Sequence, residues 1–345
     1  MRREWAGLAL AGGLGLLAIK QRARSQPPFD FRGRVVAITG GSRGLGLILA
    51  RQFAAEGAKL ALLARDPATL DRARAELVAS GAEVLALPCD VGDRRAIEAA
   101  IEVIVSHYGQ LDVLVNNAGL IQAGPLAAMT LDDFEQALAV HFWGPLYATY
   151  AVIPTMQRQG GGRIVNIASV GGRVAVPHLA PYSASKFALV GLSDALRAEL
   201  AQEGIMVTTV SPGLMRTGSP RNASFKGRHR EEYRWFAILD ALPFTSIAAD
   251  TAARQIVEAC RSGTSELTIS WQARAAALAN TLAPRLTARL ISGTNRILPG
   301  IDPHGDNSAR PGRESESALA PSALTRLSDA AAQANNEVGE RSAMG

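Results

Sequence analysis

The chain has 345 residues, of which 48% are hydrophobic and 19% charged, enough to bury a substantial core in one large domain or two modest ones. The formal net charge is +5, but the basic residues gather in the first 34 positions and in 216–234, and aromatics make up only 5%, which argues against a nucleic-acid-binding protein. Cys89 and Cys260 lack Cys-x-x-Cys spacing and histidine partners, so neither a disulfide framework nor a zinc site is expected.

Residues 5–19 carry no charge and lie between Arg2-Arg3 and Lys20, Arg22 and Arg24. As a helix this run would span roughly 22 Å, short of the roughly 30 Å hydrocarbon core, and Gly7, Gly12, Gly13 and Gly15 weaken it. It reads as a retained membrane anchor with its basic flank over 1–25. A cleaved secretory or twin-arginine export signal is the alternative, opposed by the missing Ala-x-Ala site; a floppy segment, or one buried against a partner, is a third. The basic flank puts the body of a membrane-associated protein on the cytoplasmic side.

Gln26, Pro27 and Pro28 mark a break. From Arg34 strand candidates at 35–39, 60–64, 84–87, 113–116, 164–169, 206–211 and 267–270 alternate with helical stretches at 45–56, 70–80, 94–107, a long one from Leu131, and 182–202. Short apolar strands alternating with longer helices predict a parallel sheet covered on both faces, and right-handed crossovers make it doubly wound and Rossmann-type, an α/β domain over 30–272. Leu278, Leu282, Leu286 and Leu290 recur every four residues with Arg274, Arg285 and Arg289 nearby. They predict an amphipathic helical extension over 273–300, lying on a membrane surface or packed on the body or a second subunit, with Pro284 able to interrupt it. Residues 301–345 are rich in Ser, Ala, Gly, Asn and charge; with so few large apolar groups they are expected to form a disordered tail.

Thr39-Gly40-Gly41-Ser42-Arg43-Gly44-Leu45-Gly46 joins the first strand to the first helix. Glycines let a backbone approach a pyrophosphate, and a helix N-terminus supplies free N–H groups and a positive dipole end. The spacing is Gly-x-x-x-Gly-x-Gly rather than the general Gly-x-Gly-x-x-Gly. The second strand ends Leu62-Leu63-Ala64-Arg65, without the acid that holds a ribose 2′-hydroxyl in NAD-preferring sites. Arg65 and Arg43 suit a 2′-phosphate instead, so NADP(H) is expected over NAD(H), although Asp66 could neutralise Arg65.

Ser169 closes the strand at 164–169, and Tyr182-Ser183-Ala184-Ser185-Lys186 follows. Tyr and Lys four apart share a helix face. A lysine beside a phenol lowers a pKa that is otherwise about 10, and such a tyrosine can give a proton to a carbonyl oxygen or remove one in the reverse direction. Ser169 can hydrogen-bond the same oxygen. Together with the loop at 39–46, Asn116-Asn117-Ala118-Gly119 and Pro212-Gly213, these motifs resemble the short-chain dehydrogenase/reductase family over residues 33–270.

The resemblance implies an NAD(P)-dependent oxidoreductase moving a hydride between nicotinamide and a carbonyl or secondary alcohol. It implies Tyr182 as general acid/base, Ser169 orienting the substrate oxygen, and Lys186 lowering the tyrosine pKa and binding the nicotinamide ribose. It further implies that Gly40, Ser42, Arg43, Gly44, Leu45 and Gly46 hold the cofactor, that Asp90 and Val91 line the adenine pocket, that Asn117, Ala118 and Gly119 lie beside the cofactor, and that Pro212, Gly213 and Thr217 lie near the nicotinamide. The family usually has asparagine where this chain has His141; that asparagine is thought to hold a relay water linked to the lysine. Histidine is larger and can titrate near neutral pH, which leaves open a tolerated replacement, an altered pH profile or lost catalysis.

Family specificity lies after Pro212-Gly213. There, 214–243 holds Arg216, Arg221, Lys226, Arg228, His229, Arg230 and Arg234 with Tyr233, Trp235 and Phe236. This is either a lid over an apolar substrate bearing an acidic group or a mobile, solvated basic loop. A small lipophilic substrate and a homo-oligomer are expected, with a non-catalytic NADP(H)-binding regulator, or lyase or epimerase chemistry, as the alternatives.

Overall fold

The computed structural model describes residues 29–317 and 319–338. In chain order, β1 (Val35–Thr39), α1 (Gly44–Ala55), β2 (Lys59–Ala64), α2 (Pro67–Ala79), β3 (Val84–Pro88), α3 (Arg94–Tyr108) and β4 (Val113–Asn116) form the first half. Then come β5 (Gln122–Ala123), α4 (Leu131–Leu138), a π turn over Ala139–Trp143, α5 (Gly144–Arg158), β6 (Gly162–Ile167), α6 (Ala180–Leu200) and β7 (Ile205–Pro212). Beyond them lie β8 (Leu214–Arg216), β9 (Ser224–Phe225), α7 (His229–Ala241), β10 (Ser246–Ala248), α8 (Ala249–Ser262) and β11 (Glu266–Ile269).

Local chemistry sets the helix starts. Asp66 caps α2 by accepting from the Ala68 N–H at 3.0 Å, with Pro67 in the first turn. Asp93 caps α3, and Thr130 with Asp133 makes a reciprocal capping box on α4. Left-handed Gly109 ends α3.

Seven strands form one sheet in the order β11-β7-β6-β4-β1-β2-β3, every neighbouring pair parallel. One face buries Val35, Ala37, Ala61 and Leu63 against Ile97, Ile101 and Ile104 of α3, Val152 and Met156 of α5, and Leu196 of α6. The alternate residues Val36, Ile38, Leu60 and Leu62 are equally buried and point to the opposite face, because strand side chains alternate. This burial on both sides is why the strands read as continuous apolar runs. The strand order reverses between β1 and β4, which opens a crevice at the carboxyl ends of the strands.

Two expectations need correction, the membrane anchor and the disordered tail. The membrane anchor expected at 1–25 falls outside the described residues, and among the described residues no helix is long and apolar enough to cross a membrane; the membrane-associated, cytoplasmic-side placement is withdrawn. The extension after β11 is two helices, α9 (Trp271–Leu282) and α10 (Pro284–Thr294), broken at Ala283 ahead of the proline, which lacks the N–H to continue α9. Residues 310–337 are structured where composition predicts disorder: β12 (Arg310–Pro311) pairs with β9, and α11 (Arg326–Ala334) packs against α7. Polar contacts of this segment with the body, described below, supply what its few apolar groups do not. Residues 339–345 lie outside the described residues.

The segment at 214–243 is not a solvated basic loop. Arg216 donates to the Ser246 carbonyl and hydroxyl at 2.9 Å, Arg221 pairs with Glu316 at 2.9 Å, and Lys226 pairs with Asp133 at 2.5 Å. Tyr233, Phe236 and Ala237 are buried, so the segment packs through α7.

Candidate active site

A cavity of about 540 Å³ opens at the carboxyl ends of the strands and extends from the glycine loop to α7. Of the site residues named from the sequence, all but Gly46 line it. Gly46 acts from below the surface: a Cβ there would lie 2.0 Å from the Gly40 carbonyl oxygen and 2.7 Å from Asn117 Nδ2, so only glycine lets α1 start this close to the loop.

The loop is braced from β4. Asn117 Nδ2 donates to the Thr39 and Gly40 carbonyls at 3.0 and 3.2 Å, while the backbone N–H groups of Asn117 and Ala118 donate to Thr39 Oγ1 at 2.9 and 3.0 Å. Beneath it Asn116 donates to Asn166 at 2.8 Å, and Asn166 donates to Ser193 at 3.0 Å, which ties β4, β6 and α6 together. The donor set fits a dinucleotide: glycines admit a close ligand, the N-terminus of α1 faces the cavity, and Arg43 and Arg65 stand at its rim. The Asp66 carboxylate caps α2. Asp90 accepts from the Gly92 N–H at 3.0 Å, Val91 is buried, and Thr217 Oγ1 accepts from the Ser219 N–H at 3.2 Å.

At the other end, Ser169 and the Tyr182 ring both lie beside Gly171, where a Cβ would come within 3.4 Å of Ser169 Oγ and 3.2 Å of Tyr182 Cε1. Ser169 Oγ accepts from the Gly171 N–H at 3.0 Å. Lys186 Nζ donates to the Ile167 carbonyl at 2.8 Å and lies 5.7 Å from the centre of the Tyr182 ring. The pKa directions differ from those the resemblance implies. Burial pushes the Lys186 ammonium from 10.5 down to about 7, and burial raises the Tyr182 phenol against the smaller lowering by Ser169. In the protein alone desolvation is the largest cause for both groups.

His141 sits in the π turn with no exposed surface. Its Nε2 accepts from the Leu120 N–H at 3.1 Å, and its Nδ1 lies 2.8 Å from Ser185 Oγ. Because the Ser185 hydroxyl donates to the Tyr182 carbonyl at 2.9 Å, it must accept from Nδ1–H, which assigns the neutral Nδ1–H tautomer. Burial, then the nearby Lys186, hold the ring well below 6.5. Both ring nitrogens are therefore committed to protein partners, and the expected titration near neutral pH is corrected. The ring meets Tyr182 edge-on, 5.4 Å between centres.

Sequence reasoning did not single out Leu239, Asp240 or Glu337, which also line the cavity. Burial pushes the Asp240 carboxyl up to about 7, and it accepts from Ser328 at 2.8 Å. No local pattern marks Glu337; only the path of the tail brings it here.

The parallel sheet with its switch-point crevice and braced glycine loop defines a dinucleotide-binding dehydrogenase of Rossmann type. Residues 34–226 match the short chain dehydrogenase family, and the chain belongs to the short-chain dehydrogenase/reductase family of NAD(P)-dependent oxidoreductases. It is 37% identical over 216 residues to dehydrogenase/reductase SDR family protein 7-like of Anopheles gambiae, covering 61% of this chain and 68% of that protein. It is 35% identical over 191 residues to D-threitol dehydrogenase of Mycolicibacterium smegmatis, covering 55% of this chain and 74% of that protein. Its fold is similar to that of L-sorbose reductase from Gluconobacter frateurii, solved with NADPH and L-sorbose: TM-score 0.63, 25% identity, covering 70% of this chain and 97% of that one.

Proposed function

We propose that this protein is an NADP(H)-dependent oxidoreductase that interconverts a carbonyl and a secondary alcohol on a substrate with an apolar body. The observation that carries this reading is the meeting of Ser169, Tyr182 and Lys186 with the glycine loop at one cavity. The bound dinucleotide supplies or takes up the hydride. In the reducing direction the Tyr182 hydroxyl gives its proton to the substrate oxygen, and in the oxidising direction the phenolate takes it back. Ser169, whose Oγ accepts from the Gly171 N–H, keeps its own hydrogen to donate to that oxygen. Lys186 donates to the Ile167 carbonyl and stands 5.7 Å from the centre of the Tyr182 ring, so that in its protonated form its charge favours the phenolate, against the burial that raises the phenol. His141 positions the helix that carries Tyr182 through Ser185 and takes no part in proton transfer.

Arg43 and Arg65 at the cavity rim support the choice of NADP(H), in line with the NADPH held by the sorbose reductase. Trp235, Phe236, Leu239, Val176 and Leu179 support an apolar substrate body, whereas an acidic substrate group loses its argument because Arg216, Arg221 and Lys226 are paired within the protein. Two measurements test the proposal. Tyr182→Phe should lower kcat by about 10²–10⁴-fold with NADPH affinity unchanged; retained turnover would remove Tyr182 from the chemistry. Arg43→Ala/Arg65→Ala should erase a preference for NADPH over NADH in fluorescence titrations, and an unchanged ratio would refute the 2′-phosphate contact.

A further inference from the structure

The tail ends on the dinucleotide end of the cavity. After α11 the Asn335 carbonyl accepts from the Gly44 N–H, the first of α1, at 2.9 Å. Asn336 donates to the Ser42 and Thr69 carbonyls at 2.8 and 2.9 Å and accepts from Arg72 at 2.9 Å. The Glu337 carboxylate lies 3.5 Å from Arg43 Nε, accepts from Asn222 at 2.6 Å, and stands 2.5 Å from where a Cβ on Gly44 would be. Arg51 fastens the same turn, donating to Asn335 Oδ1 at 2.9 Å and to the Ala334 carbonyl at 2.7 Å. Upstream, Ser328 donates to Asp240 of α7, and Gly218, beside Thr217, leaves room for Ala332.

The groups the tail engages are those the loop offers to a phosphate: the leading N–H of a helix and a guanidinium. A carboxylate only 4% exposed is costly to bury unless its surroundings suit an anion, and burial raises the Glu337 pKa even with Arg43 and Asn222 beside it. Glu337 and a dinucleotide phosphate group thus call on the same small patch of surface, and both carry negative charge.

We propose that residues 326–337 form an intramolecular strap that competes with the dinucleotide, with Glu337 occupying the anion seat on the glycine loop until the cofactor displaces it. The strap rests on the reading of residues 39–46 as the dinucleotide loop. Apparent cofactor affinity is then the intrinsic affinity scaled by the fraction of molecules with the strap released.

The test uses the full chain. NADPH and NADH are titrated by nicotinamide fluorescence into wild type and Asn336→Ala/Glu337→Ala, and hydrogen exchange across 326–337 is followed in wild type with and without NADPH. The expected result is at least about fivefold tighter binding of both nucleotides by the variant, with faster exchange of the strap when NADPH is added. Equal or weaker binding by the variant overturns the proposal, as does strap exchange that stays the same or slows with NADPH, which would make the tail a wall of the cofactor site. If neither protein binds either nucleotide, the dinucleotide loop itself is refuted and the strap falls with it.

Discussion

Lys186 shows what burial does to a reacting group. It is 4% exposed and its pKa is pushed from 10.5 to about 7 by desolvation. In the unfolded chain the lysine returns to its ordinary value, so between pH 7 and 10.5 the unfolded state binds more protons and stability rises with pH; below 7 both states are protonated and the full cost of burying the cation remains. Relative to Lys186→Met, the wild type should gain about 3 kcal/mol of unfolding free energy between pH 7 and 9.5. The buried thiols of Cys89 and Cys260, pushed up to about 11 and 12, act in the opposite sense at the alkaline end but are common to both proteins, so the difference isolates the lysine. Urea titrations at several pH values would show it; parallel curves would mean that Lys186 keeps its charge in the fold. The Tyr–Lys pair itself was legible, because both residues sit on one helix. The tautomer of His141 was not, since Leu120 and Ser185 reach it from other elements.

The glycine loop and the helix it starts behave as one element. A methyl group on Gly46 would press into the Gly40 carbonyl and the Asn117 amide that braces the loop, all of them fixed groups. Gly46→Ala should lose about 1–3 kcal/mol of stability and weaken cofactor binding. Gly191→Ala, where the same methyl meets nothing within 4 Å on the exposed side of α6, should be neutral or gain about 0.5–1 kcal/mol. Thermal unfolding of the two variants checks the contrast, and equal shifts would show that the loop can relax. Spacing alone placed this element, because a strand, a glycine turn and a helix are contiguous in the chain. The segment at 214–243 was less legible: its arginines and lysine look solvated until Asp133, Ser246 and Glu316, all distant in sequence, are brought beside them.

At the scale of the whole molecule, the polar chain Asn116–Asn166–Ser193 passes through an apolar sheet and joins the loop-bracing strand β4 to the helix that carries Tyr182 and Lys186. Thr209 of β7 extends it, donating to Ser193 at 2.7 Å. Replacing its centre with an apolar residue leaves the Asn116 amide without its acceptor and takes from Ser193 one of its two donors, Thr209 being the other. Asn166→Leu should therefore cost about 2–5 kcal/mol and lower kcat through the altered seat of α6. Denaturation and steady-state kinetics on the same variant test the link: a stable protein with normal kcat would show that the chain is not what holds the two halves of the site in register.

The sequence by itself determined the parallel α/β architecture, the position of the glycine loop and the Tyr182–Lys186 pair, while the family resemblance supplied the other cavity residues named from the sequence. The first three depend on periodicity or on spacing within a few neighbouring residues, which a chain displays before it folds. The tertiary structure decided the rest. It sets the protonation of Lys186 and His141 through desolvation, pairs the basic residues of 214–243, and carries Glu337 to Gly44 across nearly the whole chain. Low apolar content predicts disorder for the tail because it counts the surface a segment can bury, and it does not see polar partners waiting on the body. Those partners, Ser42, Arg43, Gly44 and Arg51, become a docking surface only after the sheet and α1 have formed.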